Sequence, residues 1–81
     1  MSRDSTCKLR LFFYEKSESG KALRFVDKPT RADVKRWEWI PVSLILHTTK
    51  FPKVAGRDYQ EWEITVPEFI AEQKNLGDFE V

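Results

Sequence analysis

Apolar and polar positions alternate most cleanly in YQEWEITV (59–66), where Trp62, Ile64 and Val66 fall on one side and Glu61, Glu63 and Thr65 on the other. A two-residue period of this kind predicts a half-buried β-strand. KLRLFFYEK (8–16) and KALRFVDK (21–28) are rich in aliphatic and aromatic residues and are separated by SESG, in which Gly20 suits a positive φ. They predict a β-hairpin. Pairing Lys16 with Lys21 sets Phe12 opposite Phe25, Tyr14 opposite Leu23 and Arg10 opposite Asp27. A bulge at Gly20 would move the register by one residue and exchange the faces.

PTRADVKR (29–36) is polar and opens on proline, which predicts a loop or a short helical turn. WEWI (37–40) predicts a third strand, ended or placed at a sheet edge by Pro41. SLILHTTKF (43–51) predicts a fourth, followed by a loop over PKVAGRD (52–58) with Pro52 and Gly56. After Val66 a short helix is expected, with Pro67 at its first position, Glu68 in the first turn and Gly77 at the stop. Phe69, Ile70, Gln73 and Leu76 share one side of it. The fold class these elements predict is α+β: one antiparallel sheet of four to five strands followed by one C-terminal helix. Residues 1–81 form a single domain in this reading, with 1–7 and 78–81 flexible.

An antiparallel sheet with one face in water should show polar residues on that face. Here Leu9, Leu11 and Phe13 oppose Phe12 and Tyr14, Leu23 and Phe25 oppose Ala22 and Val26, and Leu44 and Leu46 oppose Ile45. A helix of about ten residues is only about 15 Å long and covers one face. The expectation is that the other is covered by a second copy, making a homodimer, or by a macromolecular partner.

Charge sharpens the choice of partner. The net charge of +1 conceals ten Lys/Arg against five Asp/Glu in residues 1–36 and four against eight in residues 37–81. Such an asymmetry steers an anionic partner to one side of the molecule, or brings two copies together. The single cysteine, Cys7, excludes a disulfide within the chain and fits a reducing compartment. No apolar run approaches the roughly 20 residues of a membrane helix. A soluble cytoplasmic protein without membrane contact is expected.

Catalytic chemistry finds little support. His47 is the only histidine, lies within a predicted strand, and has no acidic neighbour close in sequence. Cys7 and His47 fall short of a zinc ligand set. Glu61 and Glu63 share a strand face and could hold a divalent ion, as in a metal-dependent nuclease, although outward charges on a strand are commoner. There is no phosphate-binding glycine loop and no serine elbow. The expectation is a protein that is not an enzyme and carries no cofactor or metal.

Nucleic-acid binding fits better. Lys8, Arg10, Phe12 and Tyr14 alternate along one side of a strand, followed by Lys21, Arg24, Lys28, Arg31, Lys35 and Arg36. Basic groups track phosphates and flat rings stack on single-stranded bases. Lys8, Arg10, Arg24, Lys28, Lys35 and Arg36 are the phosphate candidates, with Tyr14 and Trp37 as stacking candidates. Trp39 is expected in the core, where Trp62 could meet it or Trp37 across the sheet. The rival reading is a protein-binding inhibitor or adaptor that docks on a basic host protein through the leftover apolar sheet face or through the acidic surface around Glu68, Glu72, Asp78 and Glu80.

WIPVS (39–43) and WEITVPEFIAEQKNL (62–76) resemble a group of small proteins from phages and other mobile elements. These carry a Trp-Ile-Pro-x-Ser element, and an apolar strand that runs into a Pro-Glu-aromatic helix. Val42 stands where that pattern usually has Lys. The resemblance covers residues 37–76 and implies a compact sheet-plus-helix module similar to the dimeric single-stranded-DNA-binding coactivator fold. It also implies a phage setting, in which small proteins bind host machinery, including as anti-CRISPR-like inhibitors of bacterial defence.

Overall fold

A computed structural model describes residues 5–81. Part of the start expected to be flexible, residues 1–4, lies outside them. Five strands follow in order: β1 (Thr6–Lys16), β2 (Ala22–Val26), β3 (Trp37–Pro41), β4 (His47–Lys50) and β5 (Gln60–Pro67). A helix, α1 (Glu68–Gln73), comes last, and lone 3-10 turns occupy Arg31–Asp33, Val42–Leu44 and Gly77–Phe79. The strands form one sheet in the order β3-β2-β1-β5-β4, every pair antiparallel. The single antiparallel sheet agrees with expectation. Helical content is smaller than the α+β expectation implies, because α1 has only six residues.

β1 is central because its inner side is continuous. Cys7, Leu9 and Leu11 are buried and pair with Val66, Ile64 and Trp62 of β5. These six join Phe25, Ile40, Ala71 and Leu76 in one core. Alternation in both strands puts every second side chain out of water, the arrangement a two-residue period predicts.

The hairpin register differs from the expected one. Phe13, not Phe12, faces Phe25, and beyond a bulge at Tyr14 the pairs are Glu15 with Arg24 and Lys16 with Leu23. Inward rings set this register. Phe13 stacks on Trp62 at 4.4 Å between centroids and meets Phe25 edge-on at 6.0 Å, while Trp62 meets Phe25 at 5.7 Å. Setting Phe12 against Phe25 would pair an outward residue with an inward one and dismantle this trio. The extra residue is absorbed at Tyr14 rather than at Gly20, which instead takes φ 75° inside the turn. Trp62 therefore meets phenylalanines, and neither Trp37 nor Trp39.

The fourth strand is shorter than expected. Residues 43–46 are not in it, because Pro41 leads into the 3-10 turn Val42–Leu44 and β4 starts only at His47. The turn makes a crossing. The Val42 amide donates to the Lys21 carbonyl and the Leu46 amide to the Thr65 carbonyl, both at 2.8 Å. Register places Leu23 opposite Lys16 but Thr65 opposite Lys8, eight residues away along β1. In a flat sheet that separation is about 26 Å, whereas four residues of chain reach about 14 Å at most. The sheet is therefore rolled around its core, and the bulge at Tyr14, which bends and twists β1, is placed to assist.

α1 lies over the inner side with Ile70 and Ala71 buried, while Phe69, expected inward, is 57% exposed. Its end is a Schellman motif. The Leu76 amide donates to the Ala71 carbonyl at 2.7 Å, the Asn75 amide donates to the Glu72 carbonyl at 3.2 Å, and Asn75 takes φ 57°. Asn75 therefore occupies the left-handed stop position expected for Gly77. The motif also turns Leu76 fully into the core. After it, Phe79 packs on the core, Glu80 bridges to Leu9, and the Val81 amide donates to the Lys8 carbonyl at 2.9 Å. This tail lies along the part of β1 that β2 is too short to reach.

Candidate nucleic-acid interface

The outer side of the rolled sheet gathers Lys8, Arg10 and Phe12 from β1 with Tyr14 at the bulge. Arg24 and Val26 of β2 lie beside them, paired with Trp39 and Trp37 of β3. Trp39 is thus an outer residue and only half-buried. Ile40, on the opposite side of the same strand, takes the core position at 0% exposure.

Val26 shows how this side is covered. It faces outward yet is only 4% exposed. Its cover comes from the same chain, where the segments 27–36 and 51–59 are tied together. Asp58 and Tyr59 donate their amides to the Pro29 carbonyl at 2.9 and 3.1 Å, and the Arg31 amide donates to Asp58 Oδ2 at 2.7 Å. The Tyr59 ring meets Tyr14 edge-on at 5.3 Å, and Arg57 lies over Phe12 at 5.8 Å. The greasy second face is therefore partly covered by these two loops, with the Arg57 guanidinium over Phe12. These loops supply part of the covering that the helix cannot.

Rings at the rim remain open, with Trp37 at 50% and Tyr14 at 38% exposure. Arg24 stands between them. Its Cζ lies 4.1 Å from the Trp37 centroid, 5.0 Å from Tyr14 and 5.5 Å from Trp39. One Nη donates to Glu15 Oε2 at 2.9 Å. Its Nε is buried with no hydrogen-bond acceptor. Beside this cluster opens a cleft of about 200 Å³. Tyr14, Tyr59 and Trp37 are its aromatic walls, Val26 and Val34 its apolar lining, and Arg24 and Arg31 its cations.

The remaining candidates divide. Lys8 and Arg10 share the outer side, Arg10 lying 3.6 Å from Glu63 and 4.8 Å from the Phe51 ring centroid. Lys28 and Lys35 are exposed on the 27–36 segment, whose backbone is held by the Lys35 amide donating to Asp27 Oδ1 at 3.1 Å. Arg36 lies apart from the Arg24 cluster. Its Nη2 donates to the Lys74 carbonyl at the end of α1, with Glu38 at 3.7 Å and the Phe79 ring at 5.5 Å. It holds the helix end to β3.

Glu68, Glu72 and Glu80 converge with Cys7 around a second cleft of about 370 Å³, which Asp78 does not line. Burial, then the charges of Glu80, Glu68 and Glu72, push the Cys7 thiol above its ordinary value. His47 is exposed on the edge strand β4, opposite Thr65. Glu61 and Glu63 share the outer side, and among the described residues no group of three or more His, Cys, Asp or Glu is placed to hold a metal. Reading the chain alone misses Tyr59, Arg57 and Val34 in the loops. Only contacts across the fold bring them to β1 and β2, and no local pattern signals those contacts.

These features define a class, a small β-rich domain whose rolled sheet presents an aromatic and cationic outer side. No protein-family model matches the chain, and comparison with curated proteins and with solved structures gives no match either. Among the described residues no helix is long and apolar enough to cross a membrane.

Proposed function

We propose that this chain is a small non-enzymatic module that binds nucleic acid on the outer side of its sheet. Lys8, Arg10, Lys28 and Lys35 meet phosphates, and Tyr14 and Trp37 offer ring faces to bases. The observation that carries the reading is the placement of Arg24 between Tyr14 and Trp37, at 5.0 and 4.1 Å, with both rings open at the rim. Cations that displace condensed counterions, next to exposed flat rings, are the two elements of single-strand recognition. Arg36 is left out of the contact set because its guanidinium is committed to the helix end. Self-association would add avidity, but the reading does not depend on it.

The test is a salt titration of a fluorescent single-stranded oligonucleotide followed by anisotropy. Neutralising Lys8 and Arg10 together (Lys8→Gln, Arg10→Gln) removes two phosphate contacts. The salt slope should then fall by about 1.4. Undetectable binding at low salt, or an unchanged slope, rejects the reading.

A second reading follows from the convergence of Glu68, Glu72 and Glu80 at one cleft. It is a docking surface for a basic protein, in keeping with a phage- or mobile-element-derived inhibitor of host defence. A nuclease-resistant bacterial protein retained by the native chain and lost with Glu72→Lys/Glu80→Lys would favour it over nucleic-acid binding.

A further inference from the structure

We infer that the cleft between Tyr14, Tyr59 and Trp37 receives one unpaired nucleobase, so that the module selects single strands over duplexes. This inference rests on the nucleic-acid reading and gives it a substrate class. The lining is two-sided in chemistry. Aromatic walls and the apolar side chains of Val26 and Val34 suit a flat ring, while the exposed Arg31 suits the phosphate attached to it, and Arg24, paired with Glu15, braces the rings. No carboxylate lines the cleft itself: Glu15 is taken up by the Arg24 guanidinium and Asp58 by the Arg31 amide, which leaves the Arg31 side chain as its open charge. The local charge is thus complementary to a nucleotide and not to a basic peptide.

Shape adds a second argument. A base within a duplex is paired at its edge and stacked on both faces, so it reaches the rings that wall this cleft only after leaving the stack. A single strand presents its bases without that cost. The cleft holds about 200 Å³, with its aromatic walls contributed by β1, β3 and the segment just before β5. These elements are fixed relative to one another by the sheet ladder and by the amides of Asp58 and Tyr59 on the Pro29 carbonyl. The walls are therefore set in advance of binding, which limits the ordering that the ligand must impose.

The experiment uses the full chain and three fluorescent probes of equal length: a thymidine single strand, the same backbone with abasic sites throughout, and a duplex. If a base enters the cleft, the single strand binds about tenfold or more tightly than the abasic strand at equal salt, and more tightly than the duplex. Filling the cleft with Val34→Trp then lowers affinity for the thymidine strand to that for the abasic strand, with the salt slope unaltered. Equal affinity for the thymidine and abasic strands overturns the cleft assignment while leaving phosphate binding in place. Tighter binding of the duplex overturns it too. Absence of binding by all three probes at low salt removes the nucleic-acid reading itself and the cleft assignment with it. The comparison of probes on the native chain stands even if the filled variant does not fold.

Discussion

Arg24 stacks on Trp37, with its Cζ 4.1 Å from the ring centroid, although the two residues are not directly paired in the sheet: Arg24 faces Trp39 and Val26 faces Trp37. The guanidinium thus lies diagonally across the β2–β3 ladder, within reach of Tyr14 and Trp39 as well. One side chain gathers three rings from two strands, Tyr14 of β1 with Trp37 and Trp39 of β3, and Glu15 anchors its far end. This arrangement uses the plane of the guanidinium, which a lysine does not have.

Arg24→Lys is therefore expected to behave as a disruptive change. Each cation–π contact contributes about 0.5–1 kcal/mol at a partly exposed site. Losing the stacked geometry over Trp37 should lower stability by about 1 kcal/mol, a shift of about 4–8 °C in Tm for a domain of this size. Arg24→Ala should cost more, because the stem that covers Tyr14 and Trp37 goes as well. Thermal unfolding by circular dichroism measures both. A lysine variant as stable as the native chain would show that the stacking contributes nothing.

Lys35 and Arg36 are neighbours in sequence and diverge in the fold, which separates their expected effects. Arg36→Met removes a charged donor from the Lys74 carbonyl, together with the approach to Glu38 and the Phe79 ring. A hydrogen bond of that type contributes about 1.5–3 kcal/mol, less where water reaches the pair, so a loss of about 1–2 kcal/mol is expected. Affinity for nucleic acid should stay unchanged in the folded variant. Lys35→Gln should do the reverse, with stability unchanged and salt dependence weakened. Chemical denaturation and oligonucleotide anisotropy on the two variants distinguish these outcomes.

The contrast shows which features were legible in the chain. β5 and the inner side of β1 were plain, because alternation is a local property and both strands keep it without interruption. The hairpin and its glycine turn were plain for the same reason. The register was not. It depends on Phe13 meeting Trp62, forty-nine positions away, and only that contact places the bulge at Tyr14 rather than at Gly20. Residues 43–46 have strand composition yet form a crossing, since the rolled sheet needs a link from β3 to the far edge. Tyr14, Arg24 and Trp37 were recognisable as candidates by residue type. That they touch, and that Tyr59 and Arg31 complete a cleft with them, depends on two loops meeting at Pro29.

Asn75 supplies a test of the helix stop. Its φ of 57° lies in the left-handed region, where a residue with a Cβ is strained and glycine is not. Asparagine tolerates the conformation better than other side chains. Asn75→Ala should lower stability by about 1 kcal/mol, whereas Asn75→Gly should be neutral or stabilising. A denaturant midpoint for each variant measures the difference. Equal midpoints for the alanine and glycine variants would mean that the Schellman geometry is not retained in solution.

Cys7 gives the pH-dependent case. The thiol is buried on the inner side of β1, and burial together with Glu80, Glu68 and Glu72 raises its pKa above the ordinary 9.0. All four causes oppose the same species, the thiolate, because burial removes its solvation and the carboxylates repel its charge. Two consequences have opposite signs with pH. Modification by a thiol reagent should be slow at pH 8 and should quicken as pH rises past the value at which an exposed cysteine is already ionised. Stability runs the other way. The folded chain binds the thiol proton more tightly than the unfolded chain, so this contribution is fully present below pH 9 and is lost as pH rises through the folded-state value. Glu80→Gln with Glu72→Gln removes two of the repelling charges and should speed modification at pH 8 while leaving the burial cause intact. Labelling rates against pH for the native chain and this double variant measure the effect. A native rate matching that of a free cysteine peptide at pH 8 would place the thiol in water rather than beneath α1.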